Sequence, residues 1–238
     1  MSIILNDKNL SIIGTSHISS HSIEEIKNFV ITENPDIIAV ELDPQRLVSL
    51  LSDQKSKLKL SDIKYLGFSG FVFALIAGFA QKKLGNVVKL SPGADMKAGV
   101  LLAKERKLKL ALIDQNIQVT LKKFSKAFTF KEKMKILWDV IEAVLFKKRA
   151  MKKMGIVNFD LTKVPEDELI EKMMIPIKTR YPNMYKVLIS ERNEIMATRL
   201  IKLSKKNVDK HILAIVGAGH KNEILRIFKK KYTSIEIL

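Results

Sequence analysis

The chain has 238 residues, 47% of them apolar and 28% charged, a balance that supports one sizeable core and excludes an intrinsically disordered chain. It contains no cysteine, so disulfide frameworks and thiolate zinc sites are excluded, and any metal must be held by His, carboxylate or water. The 42 basic residues against 25 acidic ones give a formal charge of +17, a field that attracts nucleic acid, anionic lipid or an acidic substrate.

The opening stretch MSIILNDKNL lacks the basic-then-apolar layout of a signal peptide, and with the missing cysteine this fits a cytoplasmic protein, peripherally membrane-associated if its basic surface is used. NLSIIG (9–14) is a short, β-branched apolar run ended by glycine and reads as a strand. Ser22 and Glu25 have the spacing of a capping box, and Ile23, Ile26 and Val30 follow at helical intervals. Pro35 ends that helix, and DIIAVEL (36–42) is a second buried strand. Strand, helix and strand in succession make a βαβ unit, so the two strands are expected to run parallel.

The apolar run LGFSGFVFALIAGFA (66–80) is shorter than the roughly 20 residues of a membrane-spanning helix and reads as a buried helix, with an interfacial or ligand-covering helix as the alternative. Ser91 and Pro92 resemble a cap and a first-turn proline, opening a helix through about Lys107. LKLALID (108–114) is a strand. Residues 131–153 form a lysine-rich amphipathic helix with Met134, Leu137, Trp138, Ile141 and Leu145 on one face, and 183–205 is a further long helix. HILAIVG (211–217) is a strand, 221–231 a helix and SIEIL (234–238) a closing strand. The expected fold is therefore α/β, a largely parallel central sheet flanked by helices. The chain is read as one domain over 1–238, with 53–90 and 120–180 a helical insertion or cover within it. Basic clusters such as KKRAMKK (147–153) lack interleaved aromatics and match no nucleic-acid module, so a solvated or membrane-contacting surface is expected rather than specific nucleic-acid binding.

Parallel sheets bind ligands beyond the carboxyl ends of their strands. Conspicuous polar groups fall at those ends: Gly14 to His17 after the first strand, Glu41 with Asp43 and Arg46 after the second, Asp114 after the third, and Gly217 to His220 after the fourth. Two Gly-x-x-His segments thus follow apolar strands in a chain with only four histidines. His17, Glu41 and His220 could hold a divalent ion such as manganese, cobalt or zinc with positions left open for water. Without metal, a histidine and Glu41 could share general-base work while Arg46 stabilises developing negative charge. His21, at a helix entrance, and His211, at a strand start, read as structural.

IIGTSHISSHSIEEIKNFVITENPDIIAVELDPQRL resembles the opening of the TraB/PrgY family. SPGADMKAGVLLAKERKLKLALIDQNIQVTLKK, MYKVLISERNEIMATRL and IVGAGHKNEI resemble its later blocks, in family order. The resemblance implies kinship with TIKI-type metal-dependent proteases, haem-binding ChaN-like proteins and erythromycin esterases, which share an α/β fold. It implies that His17 and His220 are paired histidines and Glu41 the glutamate, with Arg46, Asp95, Asp114, Glu191 and Arg192 as supporting polar residues. Gly14, Gly217, Asp43 and Asp95 are expected to line the substrate. Family members named for pheromone shutdown imply a small peptide-like ligand and a hydrolase of peptide, amide or ester bonds. Capture of a hydrophobic peptide, a lipid or haem in the same crevice is the competing expectation, and a homodimer is compatible with either. Two residues depart from the family pattern: Gln115 replaces an arginine and Asn193 an aspartate. Many relatives carry membrane-spanning helices after the domain, whereas this sequence stops at Leu238, so a soluble or peripheral form is expected.

Overall fold

In the computed structural model, which describes residues 3–5, 9–15, 20–52, 64, 93–145 and 167–235, five strands form one sheet: β1 (Ile3–Leu5), β2 (Leu10–Thr15), β3 (Ile37–Val40), β4 (Lys109–Leu112) and β5 (Ile212–Gly217). The order across the sheet is β1-β2-β5-β3-β4. The four strands β2, β5, β3 and β4 are parallel, and β1 pairs antiparallel with β2 at the edge. Ile12, Ala214 and Ala39 lie in one row of the register.

The helices are α1 (Ser20–Glu33), α2 (Pro44–Leu51), α3 (Ala94–Glu105), α4 (Ile117–Ala127), α5 (Phe130–Leu145), α6 (Asp167–Arg180) and α7 (Pro182–Tyr185). A π-helical turn, Lys186–Ser190, then leads into α8 (Glu191–Lys206), and α9 (Ala218–Ile235) follows β5. The inner strands read as continuous apolar runs because both faces of a parallel sheet are covered by helices. Successive side chains alternate between those faces. Ile12, Ala39, Ala214 and Val216 meet Met196 and Leu200 of α8 and Ile224 and Phe228 of α9. Ile13, Ile38, Val40 and Ile215 meet Ile26 and Val30 of α1 and Met96 and Val100 of α3.

Gly99 is where α3 approaches the sheet most tightly. A Cβ there would lie 2.5 Å from Cδ1 of Ile215 and 3.5 Å from Cγ1 of Val40. Gly99→Val adds two further carbons to a contact already closed, and overpacking of this kind costs about 1–3 kcal/mol. The expected result is a lower urea midpoint with an unchanged slope.

Several sequence expectations are corrected. The closing strand at 234–238 does not form at its start: α9 runs on through Ile235, because Ile224, Leu225, Ile227 and Phe228 sustain the helical spacing against the sheet. Residues 236–238 lie outside the described residues. Ser22 is not a cap, since α1 begins at Ser20; its hydroxyl is buried in the first turn with no hydrogen-bond partner among the described residues. The amphipathic helix forms over Phe130–Leu145, where Phe130, Met134, Trp138 and Leu145 are exposed. His21 is exposed, and His211 is structural as expected: its Nε2 bonds Ser11 Oγ at 2.9 Å and its ring lies 5.9 Å from that of Phe29. The 66–80 run, Ser91–Pro92 and residues 146–153 lie outside the described residues. No helix among the described residues is long and apolar enough to cross a membrane.

Candidate active site at the carboxyl edge of the sheet

Strands β2, β5 and β3 end side by side, and the residue after β3 is Glu41, only 3% exposed. A buried carboxylate must be paired and hydrogen-bonded to stay ionised. Its Oε2 accepts from the Gly217 N–H at 2.7 Å, a bond that the parallel pairing of β3 with β5 sets up. Its Oε1 accepts from Nη2 of Arg192.

Arg192 gathers the rest. Its Nε donates to Asp114 Oδ1 at 3.0 Å and its Nη2 to Asp114 Oδ2 at 2.8 Å, while Nη1 donates to the Leu188 carbonyl at 3.1 Å. Leu188 belongs to the π-helical turn, so the irregular backbone supplies an acceptor beside the first turn of α8. Burial alone would lower the Arg192 pKa, but the Glu41 and Asp114 carboxylates outweigh it and hold the guanidinium charged, above its ordinary value. Asp114, 2% exposed, also takes Arg46 Nη1 at 2.9 Å, and its backbone carbonyl takes Arg199 Nη1. Two buried carboxylates are thus balanced by two guanidiniums, which share Asp114 Oδ2.

His220 stands in the first turn of α9, 6% exposed. Its Nδ1 lies 2.6 Å from Asn193 Oδ1. With the amide in this orientation the oxygen can only accept, so Nδ1 carries the ring proton and Nε2 presents its lone pair. Nε2 lies 3.3 Å from Arg192 Nη1 and 3.5 Å from Glu41 Oε1.

The predicted residues divide. Glu41, Arg46, Asp114, Arg192, Gly217 and His220 come together as described. Glu191 turns away to Lys123 of α4, at 2.8 Å. Asp43 caps α2, its Oδ1 accepting from the Gln45 N–H at 2.9 Å and the Arg46 N–H at 3.3 Å. Asp95 is buried in the first turn of α3 and accepts from the Thr15 hydroxyl, tying that helix to the end of β2. Gly14 lies beneath Lys221: a Cβ on it would meet Lys221 Cδ at 2.9 Å and Ala218 Cα at 3.2 Å. His17 lies outside the described residues.

Asn193 is singled out above only as a departure from the family pattern, and Lys221 is new to this neighbourhood. Both carried a signal. Asn193 sits in register with Met196, Ala197 and Leu200, and Lys221 with Ile224, Leu225 and Phe228, so each is a polar residue on a buried helical stripe. Gln115 is likewise buried, donating to Thr120 Oγ1 at 2.8 Å and accepting from Lys123 Nζ at 3.4 Å.

The profile of the TraB/PrgY/gumN family matches residues 2–236. The chain belongs to the TraB/PrgY/gumN family. It is 36% identical over 227 residues to an uncharacterized protein of Methanocaldococcus jannaschii, covering 95% of this chain and 55% of that protein. TraB domain-containing proteins of mouse and human are 24% and 23% identical over 88% of this chain and 60% of their own. The chain therefore spans little more than half the length of these TraB-family relatives.

A divalent ion is the group this family resemblance implies, and the donor chemistry here suits one in part. Glu41 Oε1 and His220 Nε2 face each other 3.5 Å apart, with the ring's other nitrogen held by Asn193, the usual arrangement behind a ligating imidazole. The third expected donor, His17, is outside the described residues, and among those described no group of three His or carboxylate side chains forms a metal site. Arg192 would have to release Oε1 for an ion to take it.

Proposed function

We propose that this crevice is the hydrolytic site of a TraB-family enzyme acting on a small peptide, amide or ester. The observation that carries the reading is the buried Glu41–Arg192–Asp114 cluster set beside His220 with Arg46 at its mouth. Arg46 is half-buried and commits only Nη1; its Nε and Nη2 make no hydrogen bond among the described residues. Those nitrogens are placed for a substrate carboxylate or a developing oxyanion. His220 Nε2 and Glu41 Oε1 are the groups that would accept a proton from water or hold an ion. A divalent ion bound by His17, Glu41 and His220 would lower the pKa of water and polarise the scissile carbonyl. Beside His220, a cavity of about 240 Å³ runs between α6 and α9, lined by Met174, Lys178, Tyr185, Gly219, Asn222 and Arg226. That is below the roughly 300 Å³ at which ligand pockets ordinarily begin, which favours a short side chain over a large ligand.

The test is cleavage of quenched fluorogenic peptides and simple esters, paired with elemental analysis of the purified protein. Glu41→Gln and His220→Ala should each lower turnover on the order of 10²–10⁴-fold. Any bound transition metal should be lost in Glu41→Ala. Arg46→Ala should raise KM more than it lowers kcat. Unchanged turnover in both Glu41→Gln and His220→Ala would rule the assignment out.

The second reading is capture without chemistry. It is favoured by the engagement of both Glu41 oxygens and of every Arg192 nitrogen. It predicts a histidine-ligated absorption band on titration with haem, lost in His17→Ala or His220→Ala.

A further inference from the structure

We propose that α5 is a membrane-interface helix that seats the protein on an anionic phospholipid surface. The inference is independent of any chemistry at the crevice. Phe130, Met134, Trp138 and Leu145 recur along α5 at helical intervals and are 77%, 47%, 66% and 66% exposed. Soluble proteins expose single apolar side chains freely, but a contiguous stripe led by Trp and Phe marks a contact surface.

The opposite side of the helix explains why that stripe faces out. Glu132 is buried and accepts from the Asn183 N–H at 2.9 Å, and Asp139 accepts from Arg180 and from the Tyr181 hydroxyl. Glu132 and Asp139 fasten α5 to the junction of α6 and α7, and Phe130, Met134, Trp138 and Leu145 are left on the solvent side.

Charge selects the partner. From Ile117 to Trp138 the chain carries six lysines and one carboxylate, the buried Glu132. Lys122, Lys126, Lys131 and Lys133 form no ion pair among the described residues. An apolar stripe with Trp and Phe, with lysines close by in the chain, is the composition of a helix resting in the headgroup region of a bilayer. A second copy of this chain would bring +17 against +17, which opposes self-association at low salt. A nucleic acid would use the lysines and leave the stripe unexplained.

Trp138 is the only tryptophan, so it reports on its own surroundings. Titrating the full chain with phosphatidylglycerol-containing vesicles should blue-shift its emission, and brominated acyl chains should quench it. Phosphatidylcholine vesicles should leave it unchanged, and binding should weaken as salt rises. Phe130→Glu/Met134→Glu, which keeps the reporter, should abolish the shift. Lys131→Gln/Lys133→Gln should weaken partitioning about thirtyfold at low salt. Circular dichroism identical to wild type would show that these surface variants fold. Absence of a shift with anionic vesicles, or a shift that survives Phe130→Glu/Met134→Glu, would overturn the proposal. A blue shift that appears with protein concentration alone would also overturn it, assigning the stripe to a second copy.

Discussion

Arg192→Met is expected to destabilise the fold by about 3–5 kcal/mol, the usual cost of breaking a buried ion pair by removing one partner. For a chain of this size that corresponds to a Tm lower by roughly 10 °C or more. The substitution keeps most of the side-chain volume, so the loss reports electrostatics rather than a cavity. Glu41 and Asp114, 3% and 2% exposed, would be left facing each other with Arg46 alone to balance them. Asp114→Asn in the same background should recover part of the loss, a coupling that a double-mutant cycle measures directly. Arg46→Met is the contrast: with a side chain 36% exposed, its pair with Asp114 should contribute about 1 kcal/mol or less. Equal losses for the two arginines would remove the basis for treating Arg192 as the centre of the cluster.

Phe228→Ala should also cost about 3–5 kcal/mol, here through a cavity. Phe228 is fully buried on the inner side of α9, packed in the cluster with Ile224, Leu200 and the sheet, and stacked on Tyr232 with ring centroids 5.2 Å apart. The same helix presents His220 about two turns earlier. Loosening its anchor should therefore reach the crevice: calorimetry reads the stability loss, and an NMR signal of the His220 ring should shift or broaden although the mutation is eight residues away. A stability loss with an unperturbed His220 ring would mean that Asn193 and Arg192 hold the imidazole without help from the helix behind it.

The parallel sheet was legible because its strands are buried on both faces and read as apolar runs, and the polar residues at their ends could be located from that alone. Glu41, Asp114 and His220 were found in this way, lying one, two and three residues past the ends of β3, β4 and β5. Their bonding was not legible. Nothing in the local sequence distinguishes Arg192, which is clamped by two carboxylates, from its neighbour Glu191, which leaves for Lys123. Which of two adjacent residues faces the sheet depends on the phase of α8, and that phase follows the π-helical turn Lys186–Ser190. Asp43, expected to line the substrate, has a structural task that its position after Glu41 did not reveal: with a proline at the start of α2 it is the cap of that helix. The outward face of α5 was invisible for a third reason: apolar periodicity gives the width of a stripe and not the side it faces. That side was decided by Glu132 and Asp139, whose partners lie more than forty residues away.

The position of β5 has a consequence for how the chain acquires its fold. Strand β5, the latest in chain order among the described strands, lies in the middle of the sheet, paired on one side with β2 and on the other with β3. Until residues 212–217 arrive, β2 and β3 have no shared neighbour to set their register with each other. The parallel core must therefore close late and through contacts of long sequence separation, the pattern that slows folding. A nascent chain paused before Ile212 would present two open apolar strand edges, the kind of surface that invites pairing with another chain.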